Sequence, residues 1–340
     1  SVRKTSLHRW HADHGARFTD FAGWRMPVQY PSGTIVEHHT TRNSVGLFDI
    51  PHMGQFRVRG TGAADRLASI VTADITKLQP GLSTYALLCK EDGGVIDDTF
   101  IYRLSQNDFL VVVNASRHDR DLEWFNSHLS KSGVELKDVS DDTAMIAVQG
   151  PRAAVLCFAA IGEDLKQIPR FGITAYEWNA PTETAVHLEI ARTGYTGEDG
   201  FEVFMRSEDA LLFWETLYST AKRLAVDIVA AGLGARDSLR LESGFALYGH
   251  ELTEEITPVE ARLLWACDLD HDFIGKDAIL KRKEEKPQRN LRRLVTEERG
   301  VPREGYSVLD ADGNEVGTVV SGGASPSTGG FIANAYVDRG

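Results

Sequence analysis

The 340-residue chain is 42% hydrophobic and 25% charged, which is ordinary globular composition and enough for two or three domains. Its net charge of −12 repels phosphate backbones, and no basic stripe offsets it, so we expect no nucleic-acid partner. No apolar run approaches the roughly 18 residues that a membrane helix needs, so we expect no membrane partner.

The three cysteines, Cys89, Cys157 and Cys267, are far apart and form no CxxC motif. This excludes a cysteine zinc site and gives no disulfide framework. Their apolar neighbours predict buried, inert thiols in a reducing compartment. With no signal peptide visible, we expect a bacterial cytoplasmic protein, or a mitochondrial matrix protein if a transit peptide was removed.

Regular elements can be predicted along most of the chain. Alternation and turn residues predict a three-stranded antiparallel meander, with strands at Thr84–Lys90, Val95–Leu104 and Phe109–Asn114. Ser116 is predicted to cap the helix that follows, and this helix ends near Gly133. Further strands are predicted at Ala144–Val148, Ala185–Arg192 and Gly200–Arg206, and further helices at Arg152–Ala160, Ser207–Leu224 and Ala235–Glu242.

After about residue 285 the sequence alternates strand-like runs with Gly, Pro and Ser, which predicts a small all-β module. Its strands are predicted at Leu291–Val295, Tyr306–Leu309, Val316–Val320 and Phe331–Tyr336. With the mixed elements before it, the fold class is α+β. No internal repeat is apparent.

The segment Gly60–Asp65 follows a strand-like stretch and opens a helix, which invites a dinucleotide-binding interpretation. However, Asp65 would place a carboxylate near the pyrophosphate, and no parallel βαβ array follows. A plain strand-to-helix turn is the better interpretation, and we expect no nucleotide cofactor.

Asp97 and Asp98 are adjacent in the second meander strand. Side chains alternate across a strand, so the two carboxylates point to opposite faces and cannot share one proton. One is expected to face solvent or to cap a neighbouring backbone group. The other must line a polar cavity or incur a desolvation cost of several kcal/mol.

The stretch Arg192–Glu202 combines three glycines, an aromatic ring at Tyr195 and a strand-borne carboxylate at Glu202. Such a carboxylate can accept two N–H donors from a planar heterocycle. A glycine-rich hairpin with solvated acids explains the residues equally well, and both interpretations stay open at this point.

Arg236 lies in the first turn of a predicted helix, where it can hold an anionic ligand or pair with Asp237 or Glu242. An internal salt bridge is the commoner outcome. His38, His39 and His52 lack metal-binding spacing, so we expect no metal.

Together these segments resemble the aminomethyltransferase (T-protein) family of the glycine cleavage system, in order over nearly the whole chain. The matching stretches are Phe21–Trp24, Met26–Tyr30, Phe48–Met53, Gly93–Asp98, Val148–Pro151, Thr193–Gly200, Gly232–Glu242, Leu247–Gly249, Asp272–Gly275 and Thr318–Pro326.

The resemblance implies a three-domain cloverleaf: two interleaved α+β folate-binding domains and a C-terminal β-barrel, with tetrahydrofolate in the central hole. The expected boundaries are residues 1–280 for the folate-binding region, roughly 1–52 with 137–210 and 53–136 with 211–280, and residues 285–340 for the barrel. The resemblance also implies an activity. An aminomethyl group is transferred from the dihydrolipoyl arm of lipoylated H-protein to tetrahydrofolate, and the reaction releases ammonia and gives 5,10-methylenetetrahydrofolate.

The resemblance also carries over site residues. It assigns the essential aspartate to Asp97, the pterin-binding glutamate to Glu202, and an arginine of the site to Arg236. It adds folate-pocket positions at Met53, Tyr85, Asn114, Tyr195 and Trp265, and a barrel arginine at Arg303.

Two departures from the family pattern stand out. Pro51 replaces a serine before Met53, and the chain stops at Gly340, where relatives run on. The alternatives are a demethylase or sarcosine-oxidase-type domain on the same fold, a folate-binding module without catalysis, and an iron–sulfur assembly factor. The last carries a Lys-Gly-Cys-Tyr-type segment where this chain has Arg192–Tyr195, which argues against it.

Overall fold

A computed structural model describes residues 1–340. Its helices are α1 His8–Asp13, α2 Thr34–Asn43, α3 Ala63–Ile70, α4 His118–Leu129, α5 Ala153–Ile161, α6 Ala210–Leu224, α7 Leu233–Ser243 and α8 Lys276–Glu285. No helix combines the length and apolarity needed to cross a membrane.

The strands are β1 Arg3–Lys4, β2 Arg17–Phe21, β3 Trp24–Gln29, β4 Val45–Asp49, β5 Gly54–Arg59, β6 Ser83–Cys89, β7 Val95–Ser105, β8 Asp108–Val113, β9 Glu135–Asp138, β10 Thr143–Gln149, β11 Ile173–Asn179, β12 Ala185–Ala191, β13 Gly200–Arg206, β14 Ile228–Ala230, β15 Arg289–Thr296, β16 Ser307–Leu309, β17 Glu315–Ser325 and β18 Gly330–Asp338. The predicted α+β class is confirmed, as are the meander β6–β7–β8 and the C-terminal strands.

The chain divides into two compact units. Unit 1 comprises residues 1–56, 81–83 and 138–240, and unit 2 comprises residues 57–80, 84–137 and 241–340. Unit 1 contains a six-stranded sheet in the order β11-β12-β13-β10-β4-β14 and a small sheet in the order β1-β3-β2. Its core includes Trp178, Phe201, Phe213 and Trp214, all almost fully buried.

The main sheet of unit 2 has the order β6-β7-β8-β5-β9. The C-terminal strands form a separate antiparallel sheet in the order β15-β18-β17-β16. A small core of Val319, Ala333 and Ala335 stabilises that sheet.

Two stretches of the chain repeat one order of elements. The series β5, α3, 3-10 turn, β6, β7, β8, 3-10 turn, α4 recurs as β10, α5, 3-10 turn, β11, β12, β13, 3-10 turn, α6. Gly60 and Gly150 both have φ of 131°, and the cap residues Asp74 and Asp164 have φ/ψ of −77°/92° and −78°/93°. The fold therefore contains a repeat of element order that is not apparent in the sequence, because side chains can differ while the order of elements and local backbone angles stay the same.

Two predicted helix caps, which lie at equivalent places in the repeat, are wrong. Ser116 and Ser207 do not cap α4 and α6; each lies in a three-residue 3-10 turn, Ala115–Arg117 or Ser207–Asp209, that precedes the helix. No side-chain hydrogen bond caps either helix start. The 3-10 turn itself leads the backbone into the helix, so a serine cap is not needed.

Candidate active site

Strand β7 in unit 2 presents Asp97 and Asp98 to different surroundings. Asp97 shares a face with Val95, Thr99 and Ile101, and all four side chains are buried. Asp98 lies on the other face and is half-buried. The difference in burial follows the predicted alternation and leaves Asp98 as the acid of this pair with exposed surface, although both carboxylates reach the side chain of Asn114.

Asn114, which follows β8, contacts both acids. The Asn114 backbone N–H donates to Asp97 Oδ2 over 3.0 Å, and its side-chain Nδ2 donates to Asp97 Oδ1 and to Asp98 Oδ1 over 2.6 Å each. One acid of the pair was expected either to face solvent or to cap a neighbouring backbone group. Asp97 does the second, because it accepts from the backbone N–H of Asn114. The carboxylates share a donor and not a proton.

The environment disfavours charge on both acids. Burial raises the pKa of Asp98 to about 7, and the nearby charge of Asp97 adds to the effect. Burial also raises the pKa of Asp97, although hydrogen bonds with Asp121 and Asn114 act in the opposite direction. Near neutral pH, Asp98 can therefore both accept and release a proton, which suits acid–base chemistry.

Aromatic side chains lie beside Asp98. The Tyr85 hydroxyl donates to Asp98 Oδ2 over 2.8 Å. The Tyr85 ring stacks on Trp265, with centroids 5.4 Å apart and planes inclined by 20°. Trp265 is 72% exposed, which is unusual for so large an apolar side chain. This surface can receive a flat ring next to a carboxylate.

The catalytic role that the resemblance assigns to Asp97 remains a prediction, and the surroundings of this residue differ from those of Asp98. Asp97 has 0% exposed surface and accepts two hydrogen bonds from Asn114, so a ligand cannot reach it without rearrangement. Sequence alternation predicts different surroundings for the two acids, but it cannot say which of them the core covers.

In unit 1, Glu202 lies on β13 between β10 and β12. It is 8% exposed and accepts a hydrogen bond from the Thr193 hydroxyl over 2.6 Å. Gln149 supports the loop that carries Thr193: its Nε2 donates to the Thr193 carbonyl over 3.2 Å, and its Oε1 accepts from the Thr196 hydroxyl over 2.8 Å. The glycine-rich segment is thus the loop of a β-hairpin with internal hydrogen-bond support, and Glu202 beyond it is buried, not solvated.

Arg236 also belongs to unit 1, and it packs against an aromatic ring. Its guanidinium carbon lies 4.6 Å from the centroid of the Tyr195 ring. Burial lowers its pKa, while Tyr195 and Glu202 act in the opposite direction. The expected salt bridge with Asp237 is instead made by Arg240, over 2.8 Å.

His52 is a further neighbour of Arg236, which no sequence pattern predicts. It is buried, and burial followed by the charge of Arg236 lowers its pKa to about 3. The ring is therefore neutral at physiological pH. No spacing rule pointed to it, because its proximity to Arg236 arises only from the fold.

Two further predicted residues lie apart from these contacts. Met53 is half-buried after Pro51 in the turn between β4 and β5, and its N–H donates to the Ile50 carbonyl over 3.3 Å. Arg303 is exposed in the loop between β15 and β16. Neither position tests the role expected from the resemblance, which is folate contact for Met53 and proximity to the transferred group for Arg303.

Asp74, Asp268 and His271 place ligand-type atoms within 4.8 Å of one another. The His271 ring nitrogens already bond the carbonyls of Asp268 and Ala68, over 2.6 and 2.9 Å. Lys77 donates to Asp268 over 3.0 Å. Since these groups have partners within the protein, the arrangement is better described as a hydrogen-bonded surface network.

Comparisons with known proteins agree with this fold. A family model described as the GCVT N-terminal domain matches residues 7–271, and one described as the glycine cleavage T-protein C-terminal barrel domain matches residues 289–340. The chain is 43% identical to an aminomethyltransferase from Herpetosiphon aurantiacus, over 100% of this chain and 91% of the relative. It is 42% identical to one from Geobacillus kaustophilus, over 96% and 88%.

A solved structure is also similar. It is the crystal structure of glycine cleavage system aminomethyltransferase T from Bartonella henselae. It matches with a TM-score of 0.91 and 34% identity, and the match covers 99% of this chain and 90% of that chain.

Proposed function

Because the chain belongs to the glycine cleavage T-protein family and is an aminomethyltransferase, we propose that it transfers the aminomethyl carbon from the dihydrolipoyl arm of H-protein to tetrahydrofolate. In this reaction the carbon loses its bonds to sulfur and to the amine nitrogen and gains bonds to two folate nitrogens. The two protons released by folate end on the thiol and on ammonia. No metal or nucleotide cofactor takes part in the proposal.

The observation that carries this proposal is Asp98, a half-buried carboxyl with a pKa of about 7 beside the stacked rings of Tyr85 and Trp265. Ionised Asp98 stabilises the positive charge that develops on the aminomethylene carbon as ammonia leaves, and it accepts a proton from a reacting folate nitrogen. The aromatic surface orients the flat ring system, so binding contributes to rate through proximity.

Glu202 and Arg236 are proposed to bind the folate. The Glu202 carboxylate suits the adjacent N–H donors of a pterin edge, and Thr193 fixes its orientation. Arg236, held against Tyr195, contributes a cation that suits the anionic tail of folate. The remaining site residues stay predictions. Arg303 is expected near the transferred group, and the expected folate contacts are Met53, Tyr85, Asn114, Tyr195 and Trp265.

Organisation and location are also part of the proposal. We propose that residues 285–340 form a barrel domain after the folate-binding region 1–280. A cytoplasmic location is supported by the bacterial relatives.

The proposal can be tested by ammonia release from aminomethylated H-protein, measured with and without tetrahydrofolate. We expect release to depend on folate and to be lost in Asp98→Asn, while the exposed Asp65→Asn variant behaves like wild type. Folate-independent release would contradict the proposed acceptor. Wild-type transfer by Asp98→Asn, with unchanged folate binding, would contradict the role of Asp98.

A further inference from the structure

Helix α4 buries a carboxylate where its counterpart in the repeat buries an aromatic ring. The buried stripe of α4 is Asp121, Phe125 and Leu129, the fourth, eighth and twelfth residues of the helix. The same positions of α6 are Phe213, Leu217 and Ala221, all buried. By comparison with α6, packing of α4 favours an apolar residue at position 121. Burying a carboxyl there costs free energy. An acid at such a position therefore needs another explanation than packing.

The surroundings of Asp121 indicate its protonation state. Asp121 has 0% exposed surface, and neither of its carboxyl oxygens receives a hydrogen bond from an N–H or O–H donor. The Asp97 carboxyl lies within hydrogen-bonding range of it. Two carboxylates are both acceptors, so they can bond each other only when one of them carries a proton.

We propose that Asp121 is a positioning residue that keeps one proton and donates it to Asp97, so that the pair holds Asn114 and, through Asn114, Asp98. This inference rests on the proposed function, in which Asp98 is the acid that meets the substrate. The contacts run in one series: Asp121 to Asp97, Asp97 to Asn114 by two hydrogen bonds, and Asn114 to Asp98 over 2.6 Å.

The electrostatics agree with one negative charge on the pair. Burial, then the charge of Asp97, raises the pKa of Asp121 well above its ordinary value, and Arg117 opposes this only in part. Two carboxyls this close share one proton, and the two N–H donors of Asn114 keep the charge on Asp97. That charge in turn contributes to the raised pKa of Asp98.

Other charged or titratable groups around the acids keep one state near neutral pH. The pKa of Arg117 is raised and that of its partner Glu254 is lowered, while burial raises the pKa of Tyr248. The remaining neighbour is Tyr85, which donates its hydroxyl proton to Asp98. Near neutral pH, Asp98 is therefore the group expected to titrate here, next to an Asp97–Asp121 pair that keeps one proton and one charge.

Two substitutions of Asp121 distinguish a role as proton donor to Asp97 from a role that only fills space. In Asp121→Asn, the amide N–H donates to Asp97 permanently, so near wild-type kcat and an unchanged midpoint of the acidic limb of the pH profile are expected. In Asp121→Leu, Asp97 loses its donor and takes up the proton itself. The charge that raises the pKa of Asp98 then disappears, so the midpoint moves to lower pH. Protonated Asp97 also holds Asn114 less firmly, so Asp98 loses its fixed position and kcat/KM on the plateau falls about tenfold or more.

The closing experiment is infrared spectroscopy at pH 8 with isotope-labelled aspartate, which needs neither folate nor H-protein. Wild type is expected to show a protonated carboxyl band that is absent in Asp121→Asn and present in Asp98→Asn. Asp119→Asn, at an exposed neighbour on α4, serves as the matched control and should keep the band. The band test can therefore fail or succeed independently of the proposed function.

Three outcomes would overturn the inference: no band in wild type, a band that persists in Asp121→Asn, or the same pH shift in Asp121→Asn as in Asp121→Leu. Thermal unfolding of each variant identifies a loss of fold. Should Asp121→Leu fail to fold, the spectrum and the pH profile of Asp121→Asn still decide.

Discussion

The side-chain amide of Asn114 donates to Asp97 and to Asp98 at the same time, over 2.6 Å in each case. An amide nitrogen has two hydrogens, so this one group connects an acid with no exposed surface to the half-buried acid next to it in sequence. The orientation of Asp98 therefore depends on Asn114 as well as on Tyr85.

Replacing Asn114 with alanine should impair catalysis more than folding. Asp98 loses a fixed orientation and Asp97 loses a side-chain donor, so we expect kcat to fall about 10–100-fold. Steady-state kinetics of aminomethyl transfer will measure this, with Asn107→Ala in the exposed β7–β8 turn as the control. A wild-type kcat for Asn114→Ala would show that Asp98 does not need this contact.

The activity should rise with pH through the pKa of Asp98. The ionised carboxylate is the active form, and its pKa lies at about 7, so kcat/KM should increase up to about that pH and then level off. A profile from pH 5 to 9 at saturating H-protein measures the midpoint. A midpoint near 4, the ordinary value for aspartate, would contradict the raised pKa.

Asp98→Asn should unfold at higher denaturant concentration than wild type above pH 7. Asp98 has a raised pKa in the folded state, so the folded protein binds its proton more tightly than the unfolded chain does. Wild-type stability therefore declines as pH rises from about 4 to about 7 and stays lower above that range. Removing the acid should recover about 1–3 kcal/mol after allowance for partial exposure, measured by urea unfolding at pH 8; at pH 4 the two proteins should agree.

Arg236→Lys keeps the positive charge but loses the planar group that packs on Tyr195. We expect folate binding to weaken by about 0.5–2 kcal/mol, with a smaller effect on kcat. Isothermal titration calorimetry with tetrahydrofolate will measure it. Arg223→Lys, at an exposed position on α6, should bind like wild type; equal affinity of both variants would exclude a role for the stacked guanidinium.

Gly194→Ala should disturb the loop that carries Thr193 and Tyr195. A Cβ at Gly194 would lie 2.0 Å from Gln149 Oε1, and the buried Gln149 holds this loop through Thr193 and Thr196. Folate affinity should therefore fall while the β-sheet persists, as calorimetry and circular dichroism can show. Gly330→Ala, whose Cβ would meet nothing closer than 3.7 Å, is the control.

The sequence by itself determined the elements whose signals are local. Alternation and turn residues identified β6, β7 and β8 and the C-terminal strands, because residues two apart share a strand face. Ordered motifs indicated the family, and the loop after Arg192 together with Glu202 was recognised as a possible ligand site. These features depend on neighbours within a few residues.

Only the tertiary structure decided which acid of the pair is reachable. Alternation separates Asp97 from Asp98, but only the packed structure determines which face of β7 is buried. The burial of Asp121 and the position of His52 beside Arg236 have the same origin. Each arises from contacts between segments far apart in the chain, where burial and pairing energies override local preference.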